Sequence, residues 1–438
     1  MPQDTLEQRA VLWTQALVRV PSVSGSPACL QVLETARDLI ESTGVEADIR
    51  ILFPEAPNPV LLARTGRGKA GVPELMLSGH VDVVPPAGME DPWSARIEGD
   101  RMHGRGTTDM KSGAACALTT FCEAARQGVD GVLWLILSTD EETAAQGVVR
   151  ALSCPDAPRP QLCVICEPTG LCVRSAHRGD CWIRVDFTGK SAHSSRPHLG
   201  INAIEAAALF IVHAKKRLPE LLAGNAAAGP ASSSIDLVSG GAAENVVPAS
   251  ASVTIDFRYQ GVESAQVQCD RIEKILCEVR TDPDFPPVST SLTVTGDWTA
   301  LSTDMTQPLA QAAVAALGES LGHIPETTEM TGWGEGGSMQ KFGIPAFYFG
   351  PGDGPLAHTP KESVSVSEIK TAVKALFHLV DRLVVHPARA WTPLSKLSSP
   401  PVLRFRRSAP GLLCACKSKH PNEFGTVFAH YFFTVPPY

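Results

Sequence analysis

Histidine and carboxylate side chains recur in this chain at one kind of position, just after a short apolar run. ELMLSG leads into His80-Val81-Asp82, GVLWLIL into Ser138-Thr139-Asp140-Glu141-Glu142, and QLCVIC into Glu167-Pro168. IPAFYFG is followed, after a Gly/Pro loop, by His358-Thr359-Pro360, and Asp109 lies in the loop GRGTTDMKSG. In an open α/β sheet, ligands bind outside the carboxyl ends of the strands. Five segments thus deliver imidazole or carboxylate to one edge of an expected sheet. Singly, each has an ordinary structural explanation. His-x-Asp suits a loop hydrogen bond, Glu141-Glu142 the acidic first turn of a helix, Asp109 an N-cap, Glu167 a turn, and His358 a solvated histidine. The functional reading rests on their convergence.

Two histidines and three or more carboxylates suit a borderline divalent ion, zinc above all. Six candidate groups exceed what one catalytic zinc needs, which implies a two-metal site. In such a site a bridging carboxylate holds ions roughly 3.5–4 Å apart and a shared water becomes nucleophilic. A base is then needed beside that water. One member of a Glu-Glu pair can bind metal while the other takes the proton. An Asp two residues after a ligating His can orient its imidazole.

The elements that must position these groups alternate. Apolar runs at 60–64, 74–79, 131–137 and 161–166 read as strands, with helical stretches near 5–19, 29–43, 111–127 and 142–152. Such alternation predicts a largely parallel sheet with helices on both faces. After His177 the style changes. CWIRVDFTG (181–189) and ASVTIDFRY (251–259) alternate in period two, as half-buried antiparallel strands do, and helices are expected at 202–223 and 263–280. Beyond about residue 290 the α/β style returns, with a helix at 307–321, the strand IPAFYFG (344–350) and a helix at 366–385. The reading is one α/β unit, residues 1–178 and 291–388, interrupted by an α+β unit at 179–290.

The set SGHVDVVPP, GRGTTDMKSG, STDEETAAQG, CEPTG and AHTPKE, in this order from about residue 5 to 385, resembles the M20 family of zinc peptidases and amidohydrolases. The resemblance implies a zinc-exopeptidase-like fold and two Zn2+, replaceable by Co2+. One ion would be held by His80, Asp109 and Glu167, the other by Asp109, Glu142 and His358. Glu141 would be the general base and Asp82 the partner of His80. The resemblance also implies a homodimer formed through the inserted unit, in which His193 of GKSAHSS stabilises an oxyanion in the neighbouring subunit's site. Asn245 and Arg258 resemble family substrate contacts, with Arg258 pairing to a substrate carboxylate. In TGWGEGGSMQ, residues Gly336, Gly337 and Ser338 resemble a loop whose amides and hydroxyl can hold a carboxylate. Glu335 departs from the Thr or Ser usual there in the biosynthetic desuccinylases, and either favours a cationic side chain or faces solvent. The implied activity is hydrolysis of the amide of an N-acyl amino acid. A carboxypeptidase or dipeptidase and a non-catalytic metal-binding homologue are the alternatives.

Composition narrows the partners. The chain has 438 residues, 44% hydrophobic and 19% charged, with a formal net charge of -8. These values suit a folded protein with sizeable cores and argue against nucleic acid as a partner, since phosphate binding needs a basic face. No apolar run approaches the roughly 18 residues of a membrane helix, and the first residues lack a secretory pattern, so a cytoplasmic protein without a membrane partner is expected. Twelve cysteines in 438 residues are too sparse for a disulfide framework, and Cys163 and Cys166 read as buried strand thiols. Residues 389–438 stand apart. Seven basic side chains against Glu423 alone make them +6, which leaves -14 on the preceding 388 residues. They read as a disordered extension or a gene-model artefact, with a basic docking tail as the functional alternative.

Overall fold

The computed structural model describes residues 4–387 apart from 144, 224–230, 260, 262 and 331; the expectation for 389–438 therefore lies outside the described residues. Four strands, Val132–Ser138, Glu74–His80, Leu162–Ile165 and Ala346–Tyr348, lie side by side in that order and run parallel. Their carboxyl ends consequently share one edge, and His80 stands directly opposite Ser138. The flanks are mixed. Asp48–Leu52 and Val60–Thr65 continue the sheet antiparallel on one side, and Val173–His177 meets the last parallel strand antiparallel on the other.

Burial explains why these runs are so apolar. Every residue of Val132–Ser138 is buried, as are all but the first of Glu74–His80, because helices cover both faces. Alternate residues feed two cores. Leu75, Leu77, Leu133, Leu135 and Leu137 join helices Leu6–Val18, Ser112–Gln127 and Val366–Val380. Met76, Trp134, Ile136, Cys163 and Ile165 face the other way, towards the short helices Gln146–Leu152 and Gly336–Lys341. Among the described residues every cysteine is a free thiol, and Cys163 and Cys166 are buried.

A second sheet has the order Ser232–Gly240, Ser250–Tyr259, Gly179–Thr188, Ser289–Trp298 and is antiparallel throughout. Ile183, Val185, Phe187, Val253, Ile255 and Phe257 form its core with helices Ala203–Leu222 and Ala265–Val279. Its other face alternates into partial exposure. The two inner strands and both helices match the sequence reading, whereas the two edge strands were not foreseen. SSSIDLVSG and STSLTVTGDW are Ser/Thr-rich, and each carries a register shift, so neither shows clean alternation. Hydrogen bonding of Ser289–Trp298 to Gly179–Thr188 also takes this sheet past residue 290, where the α/β part was expected to resume.

Helix Ser112–Gln127 packs closely on the segment that follows Leu162–Ile165. A Cβ at Gly113 would lie 1.7 Å from the carbonyl oxygen of Cys166. Gly113→Ala should therefore destabilise the protein by about 2 kcal/mol or more, measured by denaturant unfolding, because backbone must shift to admit one methyl.

Candidate metal centre

His80 is the buried last residue of its strand, and its Nε2 lies 3.0 Å from Oδ1 of Asp109, 3.7 Å from Glu167 and 3.9 Å from Glu141. Across the cluster, Nε2 of His358 lies 2.9 Å from Glu142 and 3.3 Å from Oδ2 of Asp109. Asp109 thus turns one oxygen to each histidine. Two triads result, His80–Asp109–Glu167 and Asp109–Glu142–His358, each with its ligand atoms within 4.8 Å of one another. The structure brings together all five residues assigned to metal from the sequence, with Glu141 beside them.

Electrostatics show what the cluster lacks. Burial, reinforced by Glu167, Glu142 and Asp109, pushes the Glu141 carboxyl well up. Burial, with Asp109, Glu335 and Glu142, raises Glu167 to about 8 against the pull of His80. For His80 burial favours the neutral ring, but the surrounding carboxylates Glu167, Asp109, Asp82 and Glu141 hold it well above its ordinary value. Burial opposes the charged form of Asp109 too, yet hydrogen bonds from His358 and His80 bring it below the usual carboxylate range. Hydrogen bonds to Asp109 and Glu142 lift His358 to about 10. Crowded acids in a dry site must keep protons or gain positive charge, and imidazole nitrogens with carboxylate oxygens are the donor set that borderline divalent ions prefer.

The supports are built from other loops. Nδ1 of His80 faces the Asp82 backbone carbonyl at 3.1 Å and the Asp82 carboxylate at 3.4 Å. That carboxylate also accepts the backbone amides of Glu141 and Glu142, both at 3.3 Å, and the Ser24 hydroxyl at 2.6 Å. Asp82 therefore fixes the Glu141-Glu142 loop as well as the His80 ring. Glu362 and Arg105, which received no role from the sequence, form a buried ion pair. Glu362 accepts the amides of Thr108 at 3.0 Å and Asp109 at 3.1 Å, which holds the shared carboxylate in place. The signal was present in AHTPKE, whose Glu362 immediately precedes the strand Ser363–Ser365 that returns to the Asp109 loop.

A cleft of about 720 Å³ runs from Asp109, Glu141, Glu142, Glu167 and His358 to Asp180, Trp182 and Trp298 on the second sheet, with Met330, Gly332 and Trp333 along its side. The expected substrate contacts fall elsewhere. His193 is exposed on a small ladder, Ala192–His193 against Val246–Val247, and Asn245 is exposed immediately before it; neither lines this cleft. Arg258 is paired with Asp180 at 2.8 Å and Asp256 at 2.9 Å. Gly336, Gly337 and Ser338 are buried at the start of a helix. The Gly336 amide donates to the Tyr348 hydroxyl at 2.8 Å, and a Cβ at Gly337 would lie 1.7 Å from the Thr299 carbonyl oxygen. These glycines serve close packing, and Gly332 and Trp333 wall the cleft instead. Glu335 does not face solvent: it is 1% exposed, near the Ser138 hydroxyl and within reach of the His80 charge, with no partner inside 3.5 Å for either carboxylate oxygen among the described residues.

A family model described as peptidase family M20/M25/M40 matches residues 76–382. The succinyl-diaminopimelate desuccinylase of Gluconobacter oxydans is 30% identical over 357 residues, covering 78% of this chain and 88% of that protein. The acetylornithine deacetylase of Myxococcus xanthus is 27% identical over 375 residues, covering 84% and 95%. Among solved structures, the Bacillus subtilis YXEP protein, described as a dinuclear metal binding peptidase from the M20 family, is similar with a TM-score of 0.63 at 15% identity, over 86% of this chain and 97% of that one. At that identity the likeness is one of fold.

Two substitutions test the supports. Removing one partner of a buried ion pair strands the other, so Glu362→Ala should cost about 3 kcal/mol in denaturant unfolding and weaken metal binding in equilibrium dialysis. Burial raises Glu335 from 4.5 to about 7. An acid whose folded pKa is raised favours folding while protonated, and that advantage fades as pH climbs from the unfolded towards the folded value. Between about pH 5 and about pH 8, metal-free wild type should lose up to about 3 kcal/mol relative to Glu335→Gln, read from unfolding curves at both pH values.

Proposed function

The chain belongs to peptidase family M20/M25/M40, and on that premise we propose that it is a two-zinc hydrolase that cleaves the amide bond of an N-acyl amino acid. The observation that carries this reading is the pair of triads sharing Asp109, with Glu141 3.9 Å from His80 and at the wall of the cleft. Bound there, two zinc ions, with cobalt as a substitute, would polarise the scissile carbonyl and lower the pKa of an attacking water. Glu141 takes the proton from that water and returns it to the leaving amine. Asp82 keeps His80 and the Glu141 backbone in register while this happens. Cleavage of a short peptide by the same groups is the second reading, favoured by the fold likeness to an M20 peptidase.

The exposed ladder that carries His193 supports a dimer in which His193 serves the neighbouring subunit's cleft, since it stands outside its own. The sheet edge Ser232–Gly240 leaves Leu237 66% and Val238 67% exposed, and the helix Ala203–Leu222 exposes Ile204 and Val212. An unpaired edge strand with apolar side chains is a ready surface for a second copy. A cytoplasmic setting is supported by the free thiols. Among the described residues no helix is long and apolar enough to cross a membrane.

A strong chelator should abolish hydrolysis and zinc or cobalt should restore it. Glu141→Ala should retain metal, measured by elemental analysis, and lose turnover by about a thousandfold or more. Metal-loaded wild type that released no product from a panel of N-acyl amino acids and dipeptides would overturn the reading.

A further inference from the structure

The far pole of the cleft is set by strand register. On Gly179–Thr188, Asp180 and Trp182 are two residues apart and share the face turned away from the core. Asp180 stands opposite Trp298 on one neighbouring strand and Arg258 on the other, and Trp182 stands opposite Gly296 and Asp256. Gly296 makes the aromatic pair possible. A Cβ there would come within 2.3 Å of the Trp298 ring and 3.1 Å of the Trp182 ring. With glycine in place the two indoles pack edge to face, 4.8 Å between centroids at 63°.

Charge at this pole is unbalanced. Oδ2 of Asp180 pairs with Arg258, while Oδ1 has no partner within 3.5 Å among the described residues, the Trp182 indole and Asp256 being its polar neighbours, and Asp180 is only 8% exposed. Arg258 also serves Asp256, so one guanidinium answers two carboxylates. Burial outweighs the pull of Arg258 and, with Asp256, lifts Asp180 to about 7. The guanidinium is thus taken, and no lysine or arginine lines the cleft among the described residues. A substrate carboxylate would find no cation here beyond the metal cluster. A positive group would find an under-neutralised carboxylate beside two indole faces, the pairing that recognises ammonium and guanidinium ions.

We propose that Asp180, Trp182 and Trp298 form a specificity site that receives a cationic side chain of the substrate, an ammonium or guanidinium, and disfavours an anionic one. The assignment rests on the hydrolase reading only for its place in the reaction. Binding by the site is independent of turnover.

Two measurements test it. With metal-loaded wild type, kcat/KM for N-acetylarginine should exceed that for the neutral isostere N-acetylcitrulline by about tenfold or more, with N-acetylglutamate poorest, and the difference should lie mainly in KM. Asp180→Asn should bring arginine down to the citrulline level. Should that variant fail to fold, Trp182→Leu at a 40% exposed position should cut the preference by about threefold. Calorimetric titration of wild type with arginine amide and citrulline amide reads the same preference without chemistry. Selective binding without turnover of any substrate would overturn the hydrolase reading and leave the site standing. Turnover with equal treatment of arginine and citrulline, or an unchanged preference in Asp180→Asn, would overturn the site alone.

Discussion

The crowding of carboxylates around two imidazoles governs this molecule. Asp82, Asp109, Glu141, Glu142 and Glu167 converge on His80 and His358 at the edge of a buried sheet. At separations of a few ångströms, like charges near a protein surface repel by several kcal/mol, on the order of the whole stability of a domain. Such a cluster persists only if neighbouring structure holds it, and much of the polar interior does that. Glu362 with Arg105 grips the Asp109 loop, Asp82 with Ser24 grips the Glu141-Glu142 loop, and both grips are hydrogen bonds to backbone amides. Divalent ions would complete the balance that the protein itself leaves open.

That arrangement divides the work between the two sheets. The parallel sheet is covered on both faces and offers its carboxyl edge as a rigid platform for metal chemistry. The antiparallel sheet is covered on one face, so its open side can present polar and aromatic groups to whatever enters the cleft. Reactivity and selectivity are thereby separated in space. One end of the cleft carries groups suited to any amide, and the other carries Asp180 and a pair of tryptophans suited to one kind of side chain.

Legibility in the sequence followed the range of the interaction. The parallel strands and most of the longer helices were readable because each is a local pattern, an apolar run or a 3.6-residue period ending in a turn. Most of the ligands were readable because topology forces residues that follow parallel strands to one edge, so position along the chain stood in for position in space. Strands Ser232–Gly240 and Ser289–Trp298 were not readable, because their Ser/Thr-rich composition has no preferred state until Gly179–Thr188 and Ser250–Tyr259 offer hydrogen bonds. Glu335 shows the same limit. A carboxylate between glycines reads as a loop residue, and only packing puts it out of reach of water.

By itself the sequence determined which chemistry is available: two histidines and five carboxylates, most of them placed after strands, a spare glutamate beside a ligating one, and an alternation that demands a doubly covered sheet. Tertiary structure alone decided how those groups are shared and what surrounds them. It turned Asp109 towards both histidines, assigned Glu362 to the backbone before Asp109, occupied Arg258 with two aspartates and paired Trp182 with Trp298 across Gly296. The physical reason is that covalent order specifies residue type and local period, whereas the neighbours that set a charge's environment come from segments tens to hundreds of residues away.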